Sequence, residues 1–139
     1  MSPFRDSEDL HQSLGGFFDT LTTSPEGQLI HRVGGSILFI FHHPEGRILW
    51  SPLPPPGSWP AFRVLRGAET ASVEPLLTFE QDGETAHRFW LGEIDLAQAL
   101  ARQQLRATGP LSRAMKLLPH LDPVYPRYAA WVAARPGPA

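Results

Sequence analysis

Side chains able to carry out chemistry are few and scattered. The 139 residues include six histidines and fourteen carboxylates but no cysteine, which excludes thiolate catalysis, disulfides and cysteine-held metal. His42-His43 is the only adjacent histidine pair. Neighbours in a strand point to opposite faces, so the two rings cannot chelate together and read as flanking a turn in solvent. His31, His87 and His120 have no carboxylate at ligand spacing. Glu80, Asp82 and Glu84 form an acidic cluster at an expected strand–helix junction. Paired carboxylates can divide acid and base work, but helix capping and the field of a helix N-terminus account for acids at that position. Ser36 follows Gly34-Gly35 with no recognisable base, which a serine nucleophile requires. No G-x-S-x-G elbow, phosphate-cradling G-x-x-x-x-G-K-[ST] or H-E-x-x-H occurs. The sequence therefore assigns no catalytic residue, no metal ligand and no cofactor.

Charge and hydropathy narrow the class further. Fourteen acids against twelve bases leave a net charge of −2, without the basic face that nucleic acid demands. The longest apolar run, 37–41, falls far short of the roughly 20 residues of a membrane span. The opening MSPFRDSEDL lacks the apolar stretch of a signal peptide. The expectation is one cytoplasmic domain over 1–139, with a core at about 7–121, a final helix at about 124–134 and a disordered tail at 136–139.

The elements that would position any site follow from periodicity. Ser7 is the expected N-cap of a helix over 7–22, striped by Leu10, Leu14, Phe17, Phe18 and Leu21. SILFIF (36–41) is the strongest strand signal; a turn at Pro44-Glu45-Gly46 and a second strand at 47–50 make an antiparallel hairpin. SPLPPPGSWP reads as a stiff connection to a third strand at 61–66. A polar crossing at 67–73 leads to a fourth strand at 76–80. The period then turns helical: a short helix to Leu91 closed by Gly92, and a second capped by Asp95. A fifth strand at 104–108 precedes a helix opened by Pro110, striped by Leu111, Ala114, Met115 and Leu118 and stopped by Pro119. Residues 28–33 fit neither pattern. The class is α+β, with helices gathered on one face of a mostly antiparallel sheet. Because 36–41 is bulky and apolar on both sides, the sheet needs cover on part of each face.

Aromatic rings are the more informative population. Phe17, Phe18, Phe39, Phe41, Trp50, Phe62, Phe79, Phe89, Trp90 and Trp131 fall on apolar faces of different elements. Each alone is ordinary core. Together, projecting from a sheet and from short helices, they can enclose a gap, and ligand pockets are concave, mostly apolar and typically about 300–1,000 Å³. Helices interrupted at Gly92, Gly109 and Pro119 make a wall able to shift without unwinding a long helix.

The segment 76–121 resembles the type-2 sterol carrier family of lipid-binding domains. The features that carry it are the strand LLTFEQD, a helix closing on Leu-Gly within FWLGEIDLAQAL, the strand LRATG and the apolar helix PLSRAMKLLPHL. The hairpin SILFIFHHPEGRILW behind an opening helix is similar in plan, so the likeness covers most of 7–120. It implies a five-stranded sheet with helices on one face and an apolar tunnel between them. It also implies noncatalytic binding of a sterol, fatty acid, acyl-CoA or phospholipid-like molecule. By position it points to Phe79, Phe89, Trp90, Leu96, Leu100, Leu105, Leu111, Met115 and Leu118 as ligand-facing, beside Phe39, Phe41 and Phe62 of the aromatic set. Two departures stand out: only Arg113 and Lys116 are basic in the 110–121 helix, and the tail DPVYPRYAAWVAAR is more aromatic than the family pattern. The chain ends GPA rather than in a peroxisomal tripeptide, which points to a bacterial cytoplasmic member. Two other readings stay open. One is a small α+β enzyme on an apolar substrate, with Glu80, Asp82 and His87 as first suspects. The other is a homodimer or accessory subunit that uses the aromatic surface as its interface.

Overall fold

The computed structural model describes residues 3–135. Helix α1, Ser7–Leu21, buries Leu10, Leu14, Phe17, Phe18 and Leu21, the stripe its spacing predicts. Its N-cap is Asp6 rather than Ser7: the Asp6 carboxylate accepts the Asp9 N–H at 2.8 Å, satisfying one of the unpaired amides of the first turn. Gly16, an apparent weakness mid-helix, has a packing reason. A Cβ there would come within 2.9 Å of the Trp131 ring, so glycine lets the C-terminal helix approach.

The stretch 28–33 that fits no single period is two short pieces, a 3₁₀ turn at Pro25–Leu29 and one α turn, α2, at Ile30–Val33. Five strands follow: β1 Ile37–His42, β2 Gly46–Pro52, β3 Phe62–Arg66, β4 Leu77–Asp82 and β5 Leu105–Thr108. They form one sheet in the order β3-β2-β1-β4-β5. The β1–β2, β2–β3 and β4–β5 pairs are antiparallel, and β1–β4 is parallel. That parallel pair requires a crossover, which residues 67–76 supply. Far from a bare loop, the crossing contains a 3₁₀ helix at Gly67–Ser72, and Val73 packs against Leu38, Leu49 and Leu65 on the back face. This is why β1 is apolar on both sides.

The front face carries Ile37, Phe39, Phe41, Ile48, Leu77, Phe79 and Leu105, all buried in the main core. Its cover comes from α1 together with α3 (Gly83–Trp90), α4 (Leu96–Ala101), α5 (Leu111–Met115) and α6 (Val124–Ala134). The fold is thus α+β, with a five-stranded open mixed sheet and its helices on the front. The 110–118 helix expected from the sequence is shorter. It ends at Met115, and a 3₁₀ turn at Leu118–Leu121 continues the wall, because Pro119 lacks the N–H needed to extend an α-helix. Helix α6 is tied down by Trp131 Nε1–H donating to Ser13 O at 2.9 Å and by Arg135 bonding the Asp9 carboxylate at 2.6 Å and the Ser13 hydroxyl. Burial alone would raise the Asp9 pKa, but the Arg5 N–H, Arg135 and their charges bring it below the usual value. Among the described residues no helix is long and apolar enough to cross a membrane. The tail expected at 136–139 lies outside the described residues.

Candidate functional site

Alternation along the strands sets the floor of the site. Ile37 and Phe39 on β1, Trp50 on β2, Phe79 and Gln81 on β4 and Leu105 on β5 share the front face, each one or two pleats apart. Ring packing fills much of the space above them: Phe39 lies 5.5 Å from Phe18, 5.1 Å from Trp50 and 5.9 Å from Phe79. Phe17, Trp90 and Tyr128 extend the same cluster. Beside it a cavity of about 70 Å³ remains. Phe89, Trp90 and Leu96 close it on one side, and Ala114, Leu117, Leu118 and Leu121 form the wall opposite the sheet. Twelve of its thirteen lining residues are apolar; the exception is Gln81.

Of the residues picked out in the sequence, Phe39, Phe79, Phe89, Trp90, Leu96, Leu105 and Leu118 meet around this space. Five others stand off its wall. Phe41 is buried at the turn end of β1, opposite Gly46, where α1 covers it. Phe62 stacks on Trp50 at 4.9 Å and borders a second, smaller gap of about 30 Å³ beside Leu21 and Val124. Leu100, Leu111 and Met115 pack against the edge of the core without reaching the cavity. On the wall the inward face runs through 114, 117, 118 and 121 instead of 111, 114, 115 and 118: the helical spacing is kept but starts three residues later, across the end of α5 and into the 3₁₀ turn. Ile37, Trp50, Gln81, Ala114, Leu117 and Leu121 were not singled out as ligand-facing. Strand alternation carried the signal for three of them, since 37 shares the face of 39, 81 that of 79, and 50 is paired with 37.

Two of the lining residues carry a buried polar atom without a hydrogen-bond partner in the protein, Gln81 Oε1 and Trp50 Nε1. Gln81 is 5% exposed. It also borders a polar cleft of about 380 Å³ formed with His42, Glu80, Asp82, Thr85, Gln103, Gln104 and Arg106. One pair of charges in that cleft is joined directly. His42 Nε2 lies 2.6 Å from Glu80 and Nδ1 3.2 Å from Glu45, so His42 is held between two carboxylates rather than standing free in solvent as expected. The bond to Glu80, then that to Glu45, raises the His42 pKa, and the same bond lowers that of Glu80.

The enzymatic suspects do not converge on the apolar cavity. Glu80 and Asp82 share the polar cleft, where His42 engages Glu80, and His87 Nδ1 is 2.8 Å from the Tyr128 hydroxyl. Burial lowers the His87 pKa and raises that of Tyr128, as expected of a neutral pair in the core. None of the three suspects lines the apolar cavity. Among the described residues no cluster of histidine and carboxylate side chains could hold a metal ion. The rings that would have made an aromatic interface are inside, and Trp59, at 59% exposure, is the one large apolar side chain exposed among the described residues.

Comparison with solved structures identifies the architecture. The sterol carrier protein domain 2 of Helicoverpa armigera superposes with a TM-score of 0.61 at 17% identity, over 85% of this chain and 89% of that one. Sterol carrier protein 2 of Yarrowia lipolytica, in its apo form, gives 0.59 at 11% identity, over 90% and 95%. A double mutant of a sec-alkyl sulfatase of Pseudomonas gives 0.57 at 14% identity, over 74% of this chain but 15% of the much longer enzyme. No family model and no curated protein sequence matches the chain. The fold is that of sterol carrier protein 2, at 11–17% sequence identity to these structures.

Proposed function

We propose that this chain is a noncatalytic carrier that takes one apolar chain, of the fatty or sterol class, into the space between sheet and helical wall. The observation that carries the reading is the cavity itself, apolar at twelve of thirteen lining residues and placed between the layers of a sterol-carrier-like fold. Its about 70 Å³ is well below the roughly 300 Å³ at which ligand pockets begin, so loading requires the wall to move outward.

The wall is built for that. Residues 111–121 consist of one short α-helix and one 3₁₀ turn, whose backbone bonds are local. Among the described residues a single hydrogen bond ties them to another element, from Arg113 Nη1 to Val33 O at 3.1 Å. The remaining attachment is apolar contact through Ala114, Leu117, Leu118 and Leu121, which an alkyl chain can replace without leaving a polar group unpaired. Burying about 300 Å² of such a chain is worth roughly 7–8 kcal/mol at about 25 cal/mol per Å², from which association and wall displacement subtract. In this reading Phe39, Phe79 and Leu105 are the floor, Phe89, Trp90 and Leu96 one side, and Leu118 part of the moving wall.

Trp50 and Trp90 lie on the cavity, which gives the test a direct signal. Titration with an uncharged linear polyene hydrocarbon whose absorption overlaps tryptophan emission should give saturable energy transfer at one probe per chain. Transfer that never saturates, or that survives Trp90→Phe and Trp50→Phe but not Trp59→Phe, would place the probe on the surface and end the carrier reading.

A further inference from the structure

The lining is apolar everywhere except at one position, and that position is not satisfied by the protein. Gln81 is 5% exposed and its Oε1 has no hydrogen-bond partner. A buried amide oxygen left unpaired costs free energy. Yet leucine or methionine of similar size would fit the alternation of β4, where Leu77 and Phe79 precede Gln81 on the same face. The register places Gln81 opposite Leu105 on β5 and Phe41 on β1, at one end of the cavity. Trp50, the other lining residue with an unpaired polar atom, is opposite Ile37, roughly 13 Å away along β1 at about 3.3 Å per residue.

We infer that the cavity's occupant carries a neutral hydroxyl-class group at one end, and that the unpaired buried amide of Gln81 receives it; this rests on the lipid-binding reading above. A water on the cavity side is a poor substitute, because a buried water is held by two to four polar partners and the lining there offers one; Glu80 and Arg106 of the adjoining polar cleft alternate to the opposite face of the sheet. A hydroxyl attached to an alkyl chain needs only that partner, and its chain satisfies the apolar walls. Either orientation of the amide serves, since a hydroxyl both donates and accepts. An ionised carboxylate is disfavoured: none of the thirteen lining residues carries a charge, and an unpaired buried anion is far costlier than a neutral group. The ligand class is therefore a long-chain alcohol or another lipid ending in a neutral hydroxyl, with its tail directed from Gln81 towards Ile37 and Trp50.

Displacement of the bound polyene probe by 1-decanol, decane and decanoate at pH 8 tests this on the wild type, Gln81→Leu and Gln81→Met. In the wild type 1-decanol should displace the probe at least tenfold more effectively than decanoate. The ratio of 1-decanol to decane affinity should fall about tenfold in both variants, the scale expected for one hydrogen bond to a buried partner, while decane holds or tightens. A ratio unchanged in both variants, or decanoate outcompeting 1-decanol, would overturn the assignment of Gln81 while leaving the carrier reading intact. Failure of all three competitors and of the probe itself to bind the wild type would overturn both.

Discussion

Filling the cavity from its wall separates an open space from solid packing by the sign of the effect. Ala114 is 8% exposed and points from α5 onto the cavity, and leucine costs the helix almost nothing relative to alanine. If the gap is real, Ala114→Leu removes void at about 24 cal/mol per Å³, so filling all of the 70 Å³ stabilises by about 1.7 kcal/mol. With an unfolding entropy of about 2.1 cal/mol/K per residue over 139 residues, that raises Tm by about 6 °C. The same substitution should abolish saturable uptake of the polyene probe. Calorimetry and probe titration on one preparation give both numbers. If the region is already close-packed, the added carbons force strain costing about 1–3 kcal/mol and Tm falls. A lower Tm with uptake intact would refute the placement of the site.

Three further outcomes follow from particular contacts. Arg113→Ala removes the one hydrogen bond tying the wall to Val33 and should speed probe entry several-fold at a stability loss of about 1 kcal/mol; stopped-flow energy transfer would show an unchanged rate if the wall does not move. Tyr128→Phe leaves half-buried His87 without this partner and should destabilise by about 1 kcal/mol, read as a lower Tm at pH 8 with probe affinity unchanged. The His42–Glu80 pair links β1 to β4, with His42 shifted above its ordinary 6.5 and Glu80 below its ordinary 4.5. Its stabilisation is therefore complete between about pH 4.5 and 6.5. It is lost as pH rises through the raised His42 value and as pH falls through the lowered Glu80 value. Both side chains are more than a third exposed, so the amplitude is that of a surface pair, at most about 1 kcal/mol. The Tm difference between wild type and Glu80→Gln should peak within that window; a difference flat from pH 4 to 9 would dismiss the pair.

Much of this arrangement is legible in the letters, for identifiable reasons. The α1 stripe and the 36–50 hairpin depend on periodicity and on a proline–glycine turn, both local, and each appears with small shifts at its ends. The parallel pairing of β1 with β4 is nonlocal, and nothing in 37–42 or 77–82 distinguishes a parallel neighbour from an antiparallel one. The apolar back face of β1 did announce that something must cover it, and the crossing at 67–76 does so. On the wall, the stripe counted from Pro110 assumed an α-helix to Leu118. The wall faces inward along the stripe that starts at Ala114 rather than at Leu111, so Leu117 and Leu121 reach the cavity and Met115 does not. The fourth strand as read from the letters ends at Glu80 and leaves Gln81 out, although alternation from Leu77 and Phe79 puts it on the ligand side. What letters cannot convey is the room left over when Trp50, Trp90 and Phe39 have packed, since a filled core and a lined cavity use the same residues.

The central claim, that an alkyl chain enters between sheet and wall, is tested most directly by NMR with a 13C-labelled decanol bound to the unlabelled chain. The account predicts intermolecular NOEs from the alkyl methylenes to the rings of Phe39 and Phe79 and the methyls of Leu105 and Leu118, with the wall's own contacts to Phe39 weakened. NOEs confined to Trp59 and the proline-rich loop around it, with the Leu118–Phe79 neighbourhood unperturbed at saturation, would contradict it.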